Sequence, residues 1–168
     1  MANVVRDRVE GIGISNNIPD PGPYFKEICI PEIVTLPEAK PNMEQLISVM
    51  VDAKIVSVRV INTPTGTSKE GQHLNGRKLS VELELQQKVK YVADEPTQSV
   101  HAAHFNKLVN SIFIVVDSEI NGVPVEKLIL QGKYRITPYI EDIFGEQLDK
   151  RTIFKNITLL VAVKFLAC

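Results

Sequence analysis

The segment 79–91 constrains the fold of this chain more than any other. Apolar and polar residues alternate throughout it, and Gln87 alone puts a polar residue on the apolar side. A period of two places successive side chains on opposite faces of a β-strand. At about 3.4 Å per residue, such a strand would extend roughly 43 Å. The sequence therefore predicts one long, half-buried strand in a sheet.

Comparable strand patterns recur along the chain, separated by turn residues. The predicted strands cover residues 53–61, 79–91, 99–106, 112–116, 127–137, 139–148 and 152–165, with short strand pieces at 25–31 and 32–36. A helix is indicated only near residues 42–48, where Asn42 is a suitable N-cap and Gln45 takes the third helical position. We therefore predict an all-β fold, an antiparallel β-sandwich or jelly-roll-like domain with long strands and at most one short helix near 42–48.

The first 23 residues differ in composition from the rest of the chain. They are rich in glycine, proline and asparagine, which disfavour a helix or a central strand: Gly11, Gly13, Asn16, Asn17, Pro19, Pro21, Gly22 and Pro23. We predict an extended N-terminal arm over residues 1–23, followed by a single β-rich domain over residues 24–168.

Charge and hydropathy exclude several classes of function. The chain has 19 basic and 20 acidic side chains, so no overall positive field would attract nucleic acid. Arg6, Asp7, Arg8 and Glu10 interrupt the N-terminus, which argues against a signal peptide, and no apolar stretch is long enough to cross a membrane. We expect synthesis in the cytoplasm, with no nucleic-acid partner and no membrane insertion.

Few residues suggest catalysis or metal binding. His101 and His104 point to opposite faces if they lie on a regular strand, so a hydrogen-bonded structural role is favoured over a metal site. Glu141 and Asp142 are separated in the same way and make no acid/base pair by themselves. Nucleophile, phosphate-binding and dinucleotide motifs are absent from the sequence. We predict that the protein is not an enzyme and has no catalytic, cofactor or metal site.

Two cysteines and one polar stretch leave alternatives open. Cys29 and Cys168 are either unrelated thiols or cross-links that form between subunits in an oxidising exterior. Residues 62–76 are polar and contain proline and glycine, and a connection of this length is often functional. This stretch is the predicted recognition loop.

Several segments together resemble one known family, the SPOCS domain, over about residues 25–165. The resemblance rests on residues 40–47 (KPNMEQLI), 92–95, 98–105 (QSVHAAHF), 138–142 and 148–156. This family has no known biochemical function and occurs in proteins of spore-forming bacteria. The resemblance implies a β-rich module associated with spore coat or envelope assembly, with no catalytic residue to carry over. The cell-wall-binding LysM module of multi-domain relatives is missing here, which favours a stand-alone subunit.

These observations predict a structural, self-assembling subunit of a filament, tube or layer on a spore or cell surface. Its partners would be further copies of itself and other coat or envelope proteins. The arm would polymerise the chain by β-augmentation, adding a strand to a neighbouring sheet. The predicted interface residues are Val4, Val5, Ile12, Ile14 and Ile18 in the arm, with Glu82 and Glu84 on the charged face of the long strand. The alternative is a non-enzymatic binding module that recognises a coat protein or cell-wall glycan through residues 62–76.

Overall fold

The computed structural model describes residues 2–6, 9–67 and 73–166, most of which lie in β-strands. In chain order the elements are β1 (Ala2–Arg6), β2 (Val9–Ile14), β3 (Phe25–Thr35), β4 (Met43–Thr67), β5 (His73–Ala93), β6 (Val100–Asp117), β7 (Glu119–Ile120), β8 (Val123–Pro124), α1 (Val125–Leu130), β9 (Tyr134–Gln147) and β10 (Thr152–Phe165).

Two sheets form the body of the protein. The larger has the strand order β1-β2-β4-β5-β6, and the smaller has the order β3-β10-β9. Strands β7 and β8 make a separate small ribbon. Within the described residues the pairing is antiparallel except between β2 and β4, which run parallel. The protein is an all-β, sandwich-like domain, and this part of the predicted fold is confirmed.

The core lies between the two sheets, and β5 and β10, which are both interior strands, supply much of it. The apolar side of the predicted long strand is fully buried: Leu79, Val81, Leu83, Leu85, Val89 and Tyr91 are all 0 % exposed. From β10, Ile153, Ile157, Leu159 and Val161 are at most 1 % exposed. Strand β5 is longer than predicted, because it begins at His73.

The helix predicted near residues 42–48 is wrong, because this segment is the start of β4. Two bulges interrupt the register of β4 with β5, between Met43 and Gln45 and between Leu46 and Ser48. Each bulge adds a residue and turns the next side chain back to the core. Met43, Leu46 and Val49 are therefore buried at intervals of three, which imitates helical spacing. The helix of the described residues is α1, so the strand predicted over 127–137 is wrong for its first residues and begins only at Tyr134. No helix of the described residues is long and apolar enough to span a bilayer.

The N-terminal residues are part of the larger sheet, so the inference that their composition excludes a central strand is wrong for residues 9–14. Strand β2 lies between β1 and β4. Gly13 makes this possible, because it has a φ of 119° and a Cβ at this position would stand 2.1 Å from the carbonyl oxygen of Val51 in β4. Residues 15–24 then connect β2 to β3 outside any strand.

The predicted recognition loop is also largely strand. Residues 62–67 of β4 pair with residues 73–77 of β5, so the two strands continue beyond the core as a ribbon. Pro64 lies within a bulge between Asn62 and Thr65, a position that does not require its missing N–H. Residues 68–72 of the predicted loop lie outside the described residues.

Candidate functional site

Lys155 is the most unusual side chain of the core, because a lysine is 0 % exposed there. It lies on the inner face of β10, between Ile153 and Ile157. Its Nζ donates hydrogen bonds to Gln87 Oε1 at 2.5 Å and to Glu32 Oε1 at 2.9 Å. The ring centroid of Phe105 lies 5.4 Å from the same nitrogen. Buried charge is rare in proteins unless it is paired in this way.

Three other strands supply the partners of this lysine. Glu32 is in register with Lys155 across the β3–β10 pair, and Gln87 reaches it from β5 in the opposite sheet. Gln87 is 3 % exposed, and its Nε2 donates to Glu32 Oε1 at 3.3 Å. Lys107 of β6 lies 3.8 Å from the other oxygen of Glu32. We refer to Glu32, Gln87, Phe105, Lys107 and Lys155 as the Lys155 cluster.

The electrostatics of the cluster lower the pKa of the amine at its centre. Burial lowers the pKa of Lys155, and the nearby charge of Lys107 lowers it further. Glu32 opposes both effects through its hydrogen bond and its negative charge, but burial is the largest cause and the net shift is downward. A neutral amine has a free electron pair and is a nucleophile. The cluster thus brings a potential nucleophile, an amide and a carboxylate into contact.

The sequence contains two signs of this cluster, which are polar residues on otherwise apolar faces of two strands. The first is Gln87, the single departure from alternation in the long strand. Its amide accepts a hydrogen bond from Lys155 and donates one to Glu32. The second is Lys155, in the middle of an apolar face of β10. Nothing in the sequence shows that these two interruptions face each other, because 68 residues separate them.

A second candidate site is the open side of the sandwich. Strands β3 and β6 end their respective sheets, so each has one edge with no strand partner among the described residues. Between them runs a groove of about 550 Å³, lined by Phe25, Ile28 and Ile30 of β3 and by Ile112, Phe113 and Val115 of β6. We refer to it as the β3/β6 groove. The ion pair between Glu32 and Lys107 joins the two strands just beyond one end of it.

The predicted interface residues of the arm that the structure describes differ in their exposure. Ile14 is 7 % exposed and belongs to the chain's own core, so it is unavailable to a neighbour. Ile12 is half-buried in β2, whereas Ile18 is 39 % exposed in the connection to β3. Val4 and Val5 lie in β1, but their side chains are outside the described part of the structure.

Glu82 and Glu84 lie on the polar face of β5, away from the core. Both are half-buried, and both accept a hydrogen bond from a nearby side chain, Glu82 from Ser57 at 3.3 Å and Glu84 from Gln86 at 3.3 Å. Their role as a subunit contact stays a prediction.

Of the two cysteines, Cys29 is exposed in β3 and lines the β3/β6 groove. Its Sγ lies 3.6 Å from Thr158 Oγ1, within hydrogen-bond reach. Cys168 lies outside the described residues, so the predicted cross-link stays a prediction.

The two histidines lie on opposite faces of β6, as predicted. His101 stacks on Tyr91 with ring centroids 5.9 Å apart, and its Nε2 is 3.1 Å from Ser99 Oγ and 3.6 Å from Glu95 Oε1. His104 is exposed on the other face. Among the residues that the structure describes, no three histidine, cysteine or acidic side chains are grouped to hold a metal ion.

Glu141 of the acidic pair in β9 has a carboxylate neighbour on another strand. A bulge separates the register of Ile140 from that of Asp142, and Glu141 lies between them. Burial raises the pKa of the Glu141 carboxyl, and so do a hydrogen bond and charge repulsion from Glu27 on β3. Glu141 thus interacts with a carboxylate on another strand.

Comparisons of the chain with protein-family models, with curated proteins and with solved structures give no significant match. The resemblance to the SPOCS domain therefore stays a prediction. The features of the structure that bear on function are the Lys155 cluster, the β3/β6 groove and the sheet edges.

Proposed function

We propose that the protein is a structural subunit that assembles head to tail, with β1 of one copy added to the β3/β6 groove of the next. The observation that carries this proposal is the position of the unpaired edges. Strand β1 ends one side of the larger sheet, whereas β6 ends the other side and lies beside the edge strand β3. Each subunit therefore has a donor edge and an acceptor groove on opposite sides.

The dimensions of the two edges fit each other. The groove exposes residues 25–30 of β3, whose pairing with β10 is regular. Pro31 follows and has no N–H to donate to an added strand, so the regular edge of β3 ends there. Strand β6 is irregular at Ser111, where φ is 62°. An acceptor of this length spans about 20 Å. Strand β1 has 5 residues, and Val4 and Val5 favour an extended conformation.

Strand addition at this edge would hold two subunits together and would allow the polymer to grow without limit. Main-chain hydrogen bonds to β3 would provide affinity, and the exposed rings of Phe25 and Phe113 would receive apolar side chains. Donor and acceptor are different surfaces, so the contact is heterologous and need not close into a ring. We propose a spore or cell surface as the location of the polymer, on the strength of the resemblance to the SPOCS domain.

Light scattering over a range of protein concentrations, followed by negative-stain electron microscopy, tests this function. The wild-type protein should grow in mass with concentration and form elongated particles, whereas a variant lacking residues 1–6 should stay monomeric. The deletion stops before Val9, because removing all of residues 1–23 would also remove β2 and the core residue Ile14. A wild-type protein that is monomeric at every concentration would refute the proposal.

A matched pair of double variants tests the acceptor. Phe25→Lys with Phe113→Lys places two charges in the groove, at positions 46 % and 38 % exposed, and should abolish growth. Val100→Lys with Leu108→Lys changes two residues elsewhere on β6, 57 % and 51 % exposed, and should leave growth unchanged. Equal behaviour of the two variants would place the contact elsewhere on the protein.

A further inference from the structure

The Lys155 cluster contains the three groups that an amide exchange needs. Lys155 supplies an amine, Gln87 supplies a side-chain amide and Glu32 supplies a carboxylate, all within hydrogen-bond distance of one another. We propose that Lys155 and Gln87 react to form an intramolecular isopeptide bond that links β10 to β5. This inference is independent of the proposed assembly, because it concerns contacts within one chain.

The geometry brings the three reacting groups close together. The Nζ of Lys155 lies 2.5 Å from Gln87 Oε1, and the carbon that carries this oxygen is the atom to be attacked. A single oxygen of Glu32 lies 2.9 Å from the attacking nitrogen and 3.3 Å from the amide nitrogen that must leave. The 2.9 Å distance is within the usual reach of a general acid or base, about 2.6 to 3.2 Å, and the 3.3 Å distance is just beyond it. Glu32 can therefore accept a proton from the attacking amine and donate it to the leaving amide nitrogen.

The bonds and protons of the step balance without an added reactant. In the uncharged form of Lys155, the electron pair of Nζ forms a bond to Gln87 Cδ, and one proton of Nζ passes to Glu32. The Cδ–Nε2 bond then breaks, and Nε2 leaves as ammonia with the proton that Glu32 returns. An amine and a primary amide become a secondary amide and ammonia. No bond is oxidised or reduced, so no cofactor is needed.

The surroundings of the cluster favour this reaction over hydrolysis. Lys155 and Gln87 are 0 % and 3 % exposed, so water has little access to the amide. The fold holds the amine against the amide, and such positioning can replace a very high concentration of free reactant. The charged groups facing the amine are Glu32 and, beyond it, Lys107, which disfavours a second positive charge at Nζ. The ring of Phe105 covers the same nitrogen.

Mass spectrometry of the full, denatured wild-type chain tests the proposal. The expected mass is lower than that encoded by the sequence by one molecule of ammonia, after allowance for the initiator methionine. Digestion should release a branched peptide that joins a fragment of β5 to a fragment of β10 through Gln87 and Lys155. A folded wild-type chain that keeps its full encoded mass after prolonged incubation would overturn the proposal, and so would a loss of ammonia that maps to other residues.

Variants assign the roles of the three groups. Lys155→Met and Gln87→Met should each keep the full encoded mass. Glu32→Gln retains a side chain of the same size but cannot shuttle protons in the same way, so it should also stay unreacted. Glu27→Gln, on an exposed residue of the same strand, is the matched control and should lose ammonia as the wild type does. If Glu32→Gln does not fold, the wild-type mass and peptide map still decide the question, and a folded Glu32→Gln chain that reacts fully would exclude the carboxylate's role.

Discussion

Replacing Gly13 by alanine tests whether the N-terminal strand β2 belongs to the folded domain. Gly13 has a φ of 119°, and its added Cβ would stand 2.1 Å from the carbonyl oxygen of Val51. The obstructing atom belongs to the backbone of β4, so no side-chain rotation relieves the overlap. Strand β2 must therefore move away from β4 or change its backbone conformation.

The expected loss of stability has two components. A non-glycine residue in this conformation costs about 1 to 3 kcal/mol. Overpacking against a fixed neighbour adds about 1 to 3 kcal/mol. The sum of about 2 to 6 kcal/mol is a large part of the 5 to 15 kcal/mol by which a typical domain is stable. Gly22→Ala is the matched control, because Gly22 has a φ of 73° but no atom lies within 4 Å of the added Cβ.

Urea unfolding followed by circular dichroism measures both variants, at a concentration low enough to keep the chain monomeric. Gly22→Ala should lose only the cost of placing alanine in the left-handed region near its φ of 73°, about 1 to 2 kcal/mol. Gly13→Ala should unfold at a clearly lower urea concentration. If the two variants unfold together, or if Gly13→Ala matches the wild type, β2 does not pair with β4 and residues 9–14 form an arm after all.

Two further predictions concern the core and one tyrosine. Leu83→Ala should destabilise the protein by about 2 to 5 kcal/mol in the same urea assay, because Leu83 is 0 % exposed and its truncation leaves a cavity. Leu130→Ala, at 88 % exposure, should change stability by no more than about 0.5 kcal/mol, and a comparable loss at both sites would contradict the assigned core. Burial and the carboxylate of Asp117, which accepts a 2.6 Å hydrogen bond from the Tyr24 hydroxyl, raise the pKa of Tyr24 to about 12. Because the folded state favours the neutral phenol, its stabilising contribution is complete below about pH 10 and is lost as the pH rises towards 12. The difference in phenolate absorbance between wild type and Tyr24→Phe measures this titration, which Asp117→Asn should move to lower pH; an ordinary tyrosine titration in the wild type would contradict the structure.

The fold was largely predictable from the sequence because alternation dominates it. A half-buried strand has a period of two, and β5 and β10 keep this period almost without interruption. The prediction fails where bulges change the period, as at residues 43–49 of β4, where the buried side chains follow helical spacing. It also fails for β2, since glycines weaken strands on average but Gly13 is required by the close approach of one particular backbone.

The candidate sites were less predictable, because both depend on contacts between distant segments. Gln87 stood out in the sequence, yet its partners Lys155 and Glu32 lie 68 and 55 positions away. Alternation identifies which face of a strand is buried, but not which strands face each other across the sandwich. The β3/β6 groove arises in the same way, from the packing of two sheet edges whose order only the folded chain defines.

The proposed assembly and the proposed isopeptide bond are connected by the path that a pulling force would take through a polymer. Force would enter each subunit through β1 in the larger sheet and leave through β3 in the smaller sheet, so it has to cross from one sheet to the other. Apolar packing between sheets has no directional bonds and resists separation only through buried surface. A bond between Gln87 of β5 and Lys155 of β10 would join the central part of one sheet to the central strand of the other. The proposed isopeptide bond would thus lie where a head-to-tail filament would have most need of a covalent connection.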